Sequence, residues 1–173
     1  MKRKQSNNPM ETFILKLIRN RYKSGSIELS LETDRLKEQI PGLRPVNVKY
    51  VRIVIDNINS SVSRKLVSRN PLTFAVEVRL KGLLLETSEQ MSFGRPESVH
   101  AIEAEINRVL ENQAHKLLQK LTRMNSDPIG FGEIYRKEVY RSHLTRETWR
   151  ELYPESKFKV SIKSKIVRTG EVD

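Results

Sequence analysis

The sequence predicts an α+β fold, in which an antiparallel-rich β-sheet packs against one long amphipathic helix and several short helices. Three observations lead to this prediction. A helical pattern of apolar residues runs without interruption from residue 96 to residue 124. On both sides of it, several segments alternate apolar and polar residues, as half-buried strands do. Finally, 173 residues of which 37% are hydrophobic suffice for a single domain with its own core.

The long helix is the element around which the rest of the chain is predicted to pack. Its apolar positions recur at steps of three and four residues: Val99, Ile102, Ile106, Val109, Leu110, Leu117, Leu121 and Met124. Pro96 suits the first helical position, and Glu97 suits the positive end of the helix dipole. The segment DPIGFG that follows cannot comfortably continue a helix, so we predict that the chain reverses there.

The amino-terminal segment is predicted to stand apart from the main domain. Residues 1–9 are polar and basic and are predicted to form a tail. Residues 10–23 carry apolar side chains on one helical face, which predicts a short amphipathic helix. That helix could lie on a membrane surface, but apolar faces at helical spacing are usually packed, so we favour docking on protein. We therefore divide the chain into residues 1–24, the tail and helix, and residues 25–173, the α+β domain.

Between the tail and the long helix, three strands are predicted. Alternating apolar and polar residues predict strands at 27–32 and 72–80. A run rich in β-branched residues predicts a strand at 46–55 that is buried on both faces for part of its length. Two intervening stretches are predicted to lack strands: a loop at 34–45, with room for one helical turn, and an exposed polar connection at 57–70. Lys81 and Gly82 are predicted to form a turn, so that 72–80 and a returning strand at 83–93 would make a hairpin.

After DPIGFG, the pattern predicts two short helices, 133–142 and 145–153, and then a final strand. Thr145 is the expected N-cap of the second helix, and Pro154 is expected to end it. In the last strand, apolar residues from Phe158 to Ile166 alternate with lysines. One face of that strand is therefore nearly all lysine: Lys157, Lys159, Lys163 and Lys165.

Charge and cysteine content narrow the classes of function. A count of 32 Lys and Arg against 21 Asp and Glu gives a net charge of +11, which favours anionic partners such as nucleic acid, anionic lipid or an acidic protein. The four lysines of the last strand could contact such a surface, although a solvated edge strand explains the same pattern. The chain contains no cysteine, which excludes disulfides, thiolate metal sites and a lipid-carrying thiol. It also lacks a secretory signal, which predicts a soluble protein unless it is part of a longer one.

No residue pattern predicts catalysis, a metal or a cofactor. His100 and His115 lie about four helical turns apart, too far to share a metal ion. The GFG segment is not followed by the Gly-Lys-Ser/Thr of a phosphate-binding loop, and no serine stands in a nucleophile elbow. Asp127 could act as a general base, but a turn residue that binds local amides is the favoured interpretation. We therefore predict that the protein is not an enzyme.

The chain resembles a known family in several features taken together. These are the long helix with its ENQ segment, DPIGFG, the short helices with Trp149 and Tyr153-Pro154, and a strand closing on Arg168-Thr169-Gly170. In these it is similar to the C-terminal domain of the Ger(x)C spore-germination proteins. The resemblance implies a non-catalytic C subunit of a nutrient germinant receptor, assembled with A and B subunits at the outer face of the spore inner membrane. A basic nucleic-acid-binding domain is the alternative, but aromatic residues are only 6% and no DNA- or RNA-binding motif is present.

Within the resembling domain, six residues are predicted to be structural: Asp127, Gly130, Phe131, Gly132, Trp149 and Gly170. The glycines that flank Phe131 are expected to supply positive φ angles, which other residues rarely adopt. Phe131 is expected to anchor the corner in the core. Trp149 is expected to pack in the core rather than face a partner, because of the large area it can bury.

Overall fold

The computed structural model describes residues 8–22, 24–40, 47–88 and 96–168. Its elements in chain order are α1 (Pro9–Ile18), β1 (Ile27–Glu32), α2 (Thr33–Gln39), β2 (Tyr50–Arg69), β3 (Leu72–Thr87), α3 (Pro96–Arg123), α4 (Phe131–Glu138), α5 (Arg146–Leu152), a 3-10 turn (Tyr153–Glu155) and β4 (Lys157–Arg168). The four strands form one sheet in the order β1-β2-β3-β4. The α+β fold class is confirmed.

The described residues divide into two compact units. Unit 1 holds residues 8–21, 62–78 and 111–161, and unit 2 holds the others. Because β2, β3, α3 and β4 each pass from one unit into the other, neither unit is a continuous segment of the chain. The separate division predicted between residues 24 and 25 stays a prediction.

In unit 2, β1 pairs with β2 in antiparallel fashion, with a register that runs from Ile27 opposite Ile55 to Glu32 opposite Tyr50. Leu29 and Leu31 are buried, as the alternation predicted. Helix α2 follows directly and occupies Thr33–Gln39, so the helical turn allowed for in the predicted loop is present and is longer than one turn. Residues 41–46 lie outside the described ranges.

The two longest strands depart most from the sequence prediction. Strand β2 continues through 57–69, where an exposed connection was expected. Ile55 and Ile58 are both 1% exposed, so the buried side chains change from odd to even residue numbers between them. A search for simple alternation therefore does not detect the whole strand. The polar side chains beyond Ile58 do not prevent pairing, because the backbone supplies the hydrogen bonds.

Strand β3 also runs without a break through Lys81 and Gly82, where a turn was expected. A Cβ atom at Gly82 would overlap Ile55, so this glycine permits a close approach inside the sheet. The hairpin turn lies instead at Asn70-Pro71, which is a cis peptide bond. The expected return strand reaches residues 89–93, which lie outside the described ranges.

In unit 1, helix α1 packs its apolar face on protein. Phe13 is 6% exposed, and Ile14, Leu17 and Ile18 are fully buried. Glu11 of α1 also forms an ion pair with Lys120 of α3 at 2.7 Å. These contacts agree with docking on protein rather than with a membrane-surface helix.

Helix α3 begins at Pro96, as predicted, and buries the expected apolar stripe. Ile106 and Leu110 in unit 2 and Leu117 in unit 1 are all 5% exposed or less. The helix ends where Asn125 adopts a left-handed conformation, with a φ of 48°. Met124 lies past the helix end and is 61% exposed, so its predicted place on the buried stripe is wrong.

Candidate functional site

The DPIGFG corner, residues 127–132, follows α3 and is organised by Asp127. Its Oδ1 accepts hydrogen bonds from the backbone N–H groups of Gly130 at 2.9 Å and Phe131 at 3.0 Å, and its Oδ2 accepts from Gly132 at 2.9 Å. These amides begin α4, where N–H groups have no partner within the helix. A carboxylate also suits the positive end of the helix dipole. Because backbone amides occupy both oxygens, the geometry favours a helix cap over a general base.

The two glycines of the corner differ in what they provide. Gly130 has a φ of 87°, the left-handed region that the sequence analysis expected, and a Cβ there would meet nothing within 4 Å. Gly132 lies in the first turn of α4 and its φ is not positive, so that part of the expectation is wrong. A Cβ at Gly132 would lie 3.1 Å from ring atoms of Trp149. Gly130 therefore supplies a backbone conformation, and Gly132 supplies space for the indole.

An aromatic cluster surrounds the corner. Phe131 is fully buried, and its ring centroid lies 4.9 Å from those of both Phe74 and Phe158. The half-buried Trp149 meets Phe74 edge-on, with centroids 6.3 Å apart, and lies 5.3 Å from Tyr153. These contacts support the proposed roles of Phe131 and Trp149 as anchors, because aromatic rings bury large apolar areas.

Tyr153 closes the cluster. Its side chain is 1% exposed, and its hydroxyl has no hydrogen-bond partner among the described residues. Burial raises the pKa of this phenol, and the nearby charge of Asp127 raises it further. The hydroxyl therefore stays protonated over the physiological pH range. Gly170, the last of the six predicted structural residues, lies outside the described ranges.

The lysine-rich face of β4 is the second candidate region. Lys157, Lys159, Lys163 and Lys165 are all exposed, whereas Ile162 on the opposite face is 2% exposed. The structure separates the lysines into two pairs. Lys157 and Lys159 belong to unit 1, and Lys163 and Lys165 belong to unit 2.

In unit 2, Lys163 and Lys165 line an open groove with a volume of about 470 Å³, which we call the basic groove. Three residues from each of three strands line it: 59–61 of β2, 79–81 of β3 and 163–165 of β4. Sequence analysis did not single out Arg79 and Lys81. Both stand on the polar face of the most regular strand, but only the strand order shows that they lie beside the lysines of β4.

Side chains of α3 protect the backbone edge of β4. Asn107 Oδ1 accepts a hydrogen bond from the N–H of Ser164 at 2.7 Å, and Glu103 Oε1 accepts from the N–H of Ile166 at 2.8 Å. Unpaired edge amides invite pairing with other chains, and lysines are one common way to discourage it. Here the helix satisfies two of these amides directly.

The described residues contain no group of three or more His, Cys, Asp or Glu side chains arranged to hold a metal ion. His100 and His143 are exposed, and His115 is half-buried. Within the same ranges, no helix combines the length and apolar character needed to span a bilayer.

Comparison with known proteins decides the family. A family model described as "Spore germination B3/ GerAC like, C-terminal" matches residues 2–170. The chain belongs to this family. The resemblance to the Ger(x)C spore-germination proteins is thereby confirmed.

Individual proteins similar to this GerAC-like chain agree with the family assignment. It is 22% identical over 165 residues to spore germination protein GerQC of Bacillus cereus, which covers 94% of the chain and 41% of GerQC. It is 31% identical over 97 residues to spore germination protein KC of Bacillus subtilis (strain 168), which covers 55% of the chain and 24% of that protein. Among solved structures, the crystal structure of GerBC matches with a TM-score of 0.64 at 18% identity, over 91% of the chain and 45% of GerBC. The chain thus spans less than half the length of each of these proteins.

Proposed function

We propose that the chain is a non-catalytic, C-subunit-like component of a nutrient germinant receptor, which acts through protein assembly at the outer face of the spore inner membrane. The match of the GerAC-like family model to residues 2–170 carries this proposal. The named relatives GerQC and KC are spore germination proteins, which supports the same role.

The chemistry of the described residues supports assembly rather than catalysis. Asp127 is engaged with three backbone amides, so it is not free to move a proton. Burial keeps the Tyr153 phenol protonated, which makes it a poor nucleophile. The polar groups around the corner therefore serve the local structure.

In this proposal the partners are the A and B subunits of the receptor. Tyr140 is a candidate contact residue because its side chain is 81% exposed, and tyrosine is enriched at protein interfaces. Its ring lies 5.1 Å from the guanidinium carbon of Arg141, which gives this surface both an aromatic and a cationic group. The location at the inner membrane is inferred from the family resemblance.

A germination assay tests the proposal. We expect spores that lack the coding gene to lose the response to at least one nutrient in a panel, measured as the fall in optical density of the suspension. Re-expression of the gene should restore that response. A Tyr140→Ala variant, which leaves the buried core intact, should restore it less well if this surface contacts the receptor. Unchanged responses to every nutrient in the deletion strain would contradict the proposal.

Among the described residues, the buried phenylalanine rings give the nucleic-acid alternative no base-stacking platform. Phe74 and Phe131 are fully buried, and Phe158 packs against both. These rings are therefore not available as a stacking platform for bases.

A further inference from the structure

Strand geometry brings four cationic side chains together at the basic groove. Arg79 and Lys81 are two residues apart on β3, as are Lys163 and Lys165 on β4, so each pair points to one face of its strand. Residues two apart are separated by about 6.7 Å along a strand, and neighbouring strands lie about 4.8 Å apart. Because β3 and β4 are neighbours and all four residues line the same groove, a ligand seated in it can contact all four side chains.

The four cations of the groove have no acidic partner among the described residues. Other basic side chains of unit 2 do have one: Arg52 lies 3.8 Å from Glu28, and Arg108 lies 2.6 Å from Glu105. No acidic residue lines the groove. The charges repel one another, because their spacing is comparable to the Debye length of about 8 Å at physiological ionic strength. A bound anion would remove this repulsion.

Polar groups from β2 line the same groove. The Asn59 amide and the Ser61 hydroxyl are both on exposed residues. The Ser60 hydroxyl is buried and has no hydrogen-bond partner among the described residues. Amide and hydroxyl groups can donate hydrogen bonds to anionic oxygens, so the groove offers directional donors as well as positive charge.

We propose that the basic groove binds an anion that carries two or more phosphate groups, with Arg79, Lys81, Lys163 and Lys165 as its cationic contacts. The guanidinium of Arg79 can bind phosphate oxygens through two parallel hydrogen bonds, and lysines bind phosphate as point charges. This site goes beyond receptor assembly and does not depend on it.

The groove lining suits the binding of a phosphate group. It lacks the exposed apolar side chains with which a protein surface inserts into a membrane. Membrane-surface elements combine basic residues with an apolar face that enters the bilayer. Leu80, the one large apolar residue of the lining, is 3% exposed and cannot play that part. The phosphates could still come from a soluble compound or from a lipid headgroup, and the experiment separates these sources.

Isothermal titration calorimetry of the full chain with tripolyphosphate at physiological ionic strength tests the site. The double variant Lys163→Gln/Lys165→Gln should weaken binding by about tenfold or more, because hydrogen bonds to charged groups contribute strongly to affinity. The matched control is Lys157→Gln/Lys159→Gln, which removes the same charge from exposed positions at the same spacing on the same strand but outside the groove. It should change affinity by no more than about twofold. Circular dichroism melting of each variant verifies that it is folded.

Parallel titrations identify the source of the phosphate. Tripolyphosphate binding that depends on the groove lysines supports a soluble ligand. Binding only to vesicles that contain cardiolipin, a lipid with two phosphate groups, with the same dependence on those lysines, supports a lipid headgroup. Equal losses in both double variants would show a response to net charge alone and would overturn the proposal. It would also be overturned by the absence of binding to either probe, or by tighter, groove-dependent binding of an oligoglutamate peptide.

Discussion

The DPIGFG corner of unit 1 and the basic groove of unit 2 use charge in opposite ways. At the corner, Asp127 is bound by three backbone amides, and the surrounding rings of Phe131 and Tyr153 are buried. At the groove, Lys163 and Lys165 are exposed and stand beside further unpaired cations.

In this account the most recognisable motif supports the fold, and the proposed binding site lies elsewhere. DPIGFG is the most distinctive segment of the sequence, yet its carboxylate and backbone amides hydrogen-bond to one another within the segment. The groove carries no motif, because its residues come from three separate strands. Substitutions at the corner should therefore change stability, and substitutions at the groove should leave it nearly unchanged.

The largest effect is expected for Phe131→Ala. Removing this fully buried ring should lower the free energy of unfolding by about 3–5 kcal/mol, measured by chemical denaturation. Tyr140→Ala is the matched control, because its ring is 81% exposed and its loss should change stability by no more than about 0.5 kcal/mol. Similar losses in the two variants would show that Phe131 is not the anchor.

The second-largest loss of stability is expected for Asp127→Ala. It leaves three N–H groups of α4 without their acceptor, which should cost about 2 kcal/mol. Asp127→Asn keeps one acceptor oxygen and should fall between the wild type and the alanine variant. If denaturation midpoints are the same in all three proteins, the capping role is wrong.

Tyr153 should make stability fall at high pH. Its pKa is raised in the folded state above the ordinary value of 10.0, so the phenol ionises first in the unfolded chain. Its contribution is therefore complete below about pH 10 and is lost as pH rises further, by about 1.4 kcal/mol at pH 11. Tyr153→Phe should lack this component when urea denaturation is compared at about pH 9 and pH 11. Equal pH dependence in the two proteins would contradict the assignment.

The two corner glycines should respond differently to alanine. Gly130→Ala should cost about 1 kcal/mol, because the positive φ is strained for alanine. This cost should be the same when Trp149 is replaced by leucine. The effect of Gly132→Ala should instead depend on Trp149, because the new Cβ would lie 3.1 Å from that ring. A double-mutant cycle measures both couplings, and a coupling between Gly130 and Trp149 would count against the distinction.

The smallest effect on stability is expected at the groove. Lys163→Gln/Lys165→Gln should change the free energy of unfolding by no more than about 0.5 kcal/mol, because both side chains are exposed. A loss as large as that of Asp127→Ala would show that these lysines support the fold, and the contrast between the two regions would fail.

Local patterns in the sequence predicted local structure well. The helical spacing located α3, and the Thr145 hydroxyl accepts from the Thr148 N–H at 3.1 Å, as expected of an N-cap. The alternation after Lys157 predicted β4 and its lysine face. Each of these features depends on residues close together in the chain.

Features that depend on distant residues were not predictable in the same way. The second half of β2 was missed because the buried positions change from odd to even residue numbers between Ile55 and Ile58. The role of Gly82 was missed because it depends on the close approach of Ile55, which is distant in the sequence. Likewise, the groove exists only because β3 lies next to β4, so sequence analysis found its lysines but missed Arg79 and Lys81.

Immunoblotting of fractionated spores with an antibody raised against this domain tests the proposed function most directly. A receptor component should appear in the inner-membrane fraction. A signal confined to the soluble fraction, and recovered there with nucleic acid, would contradict the account and favour the nucleic-acid-binding alternative.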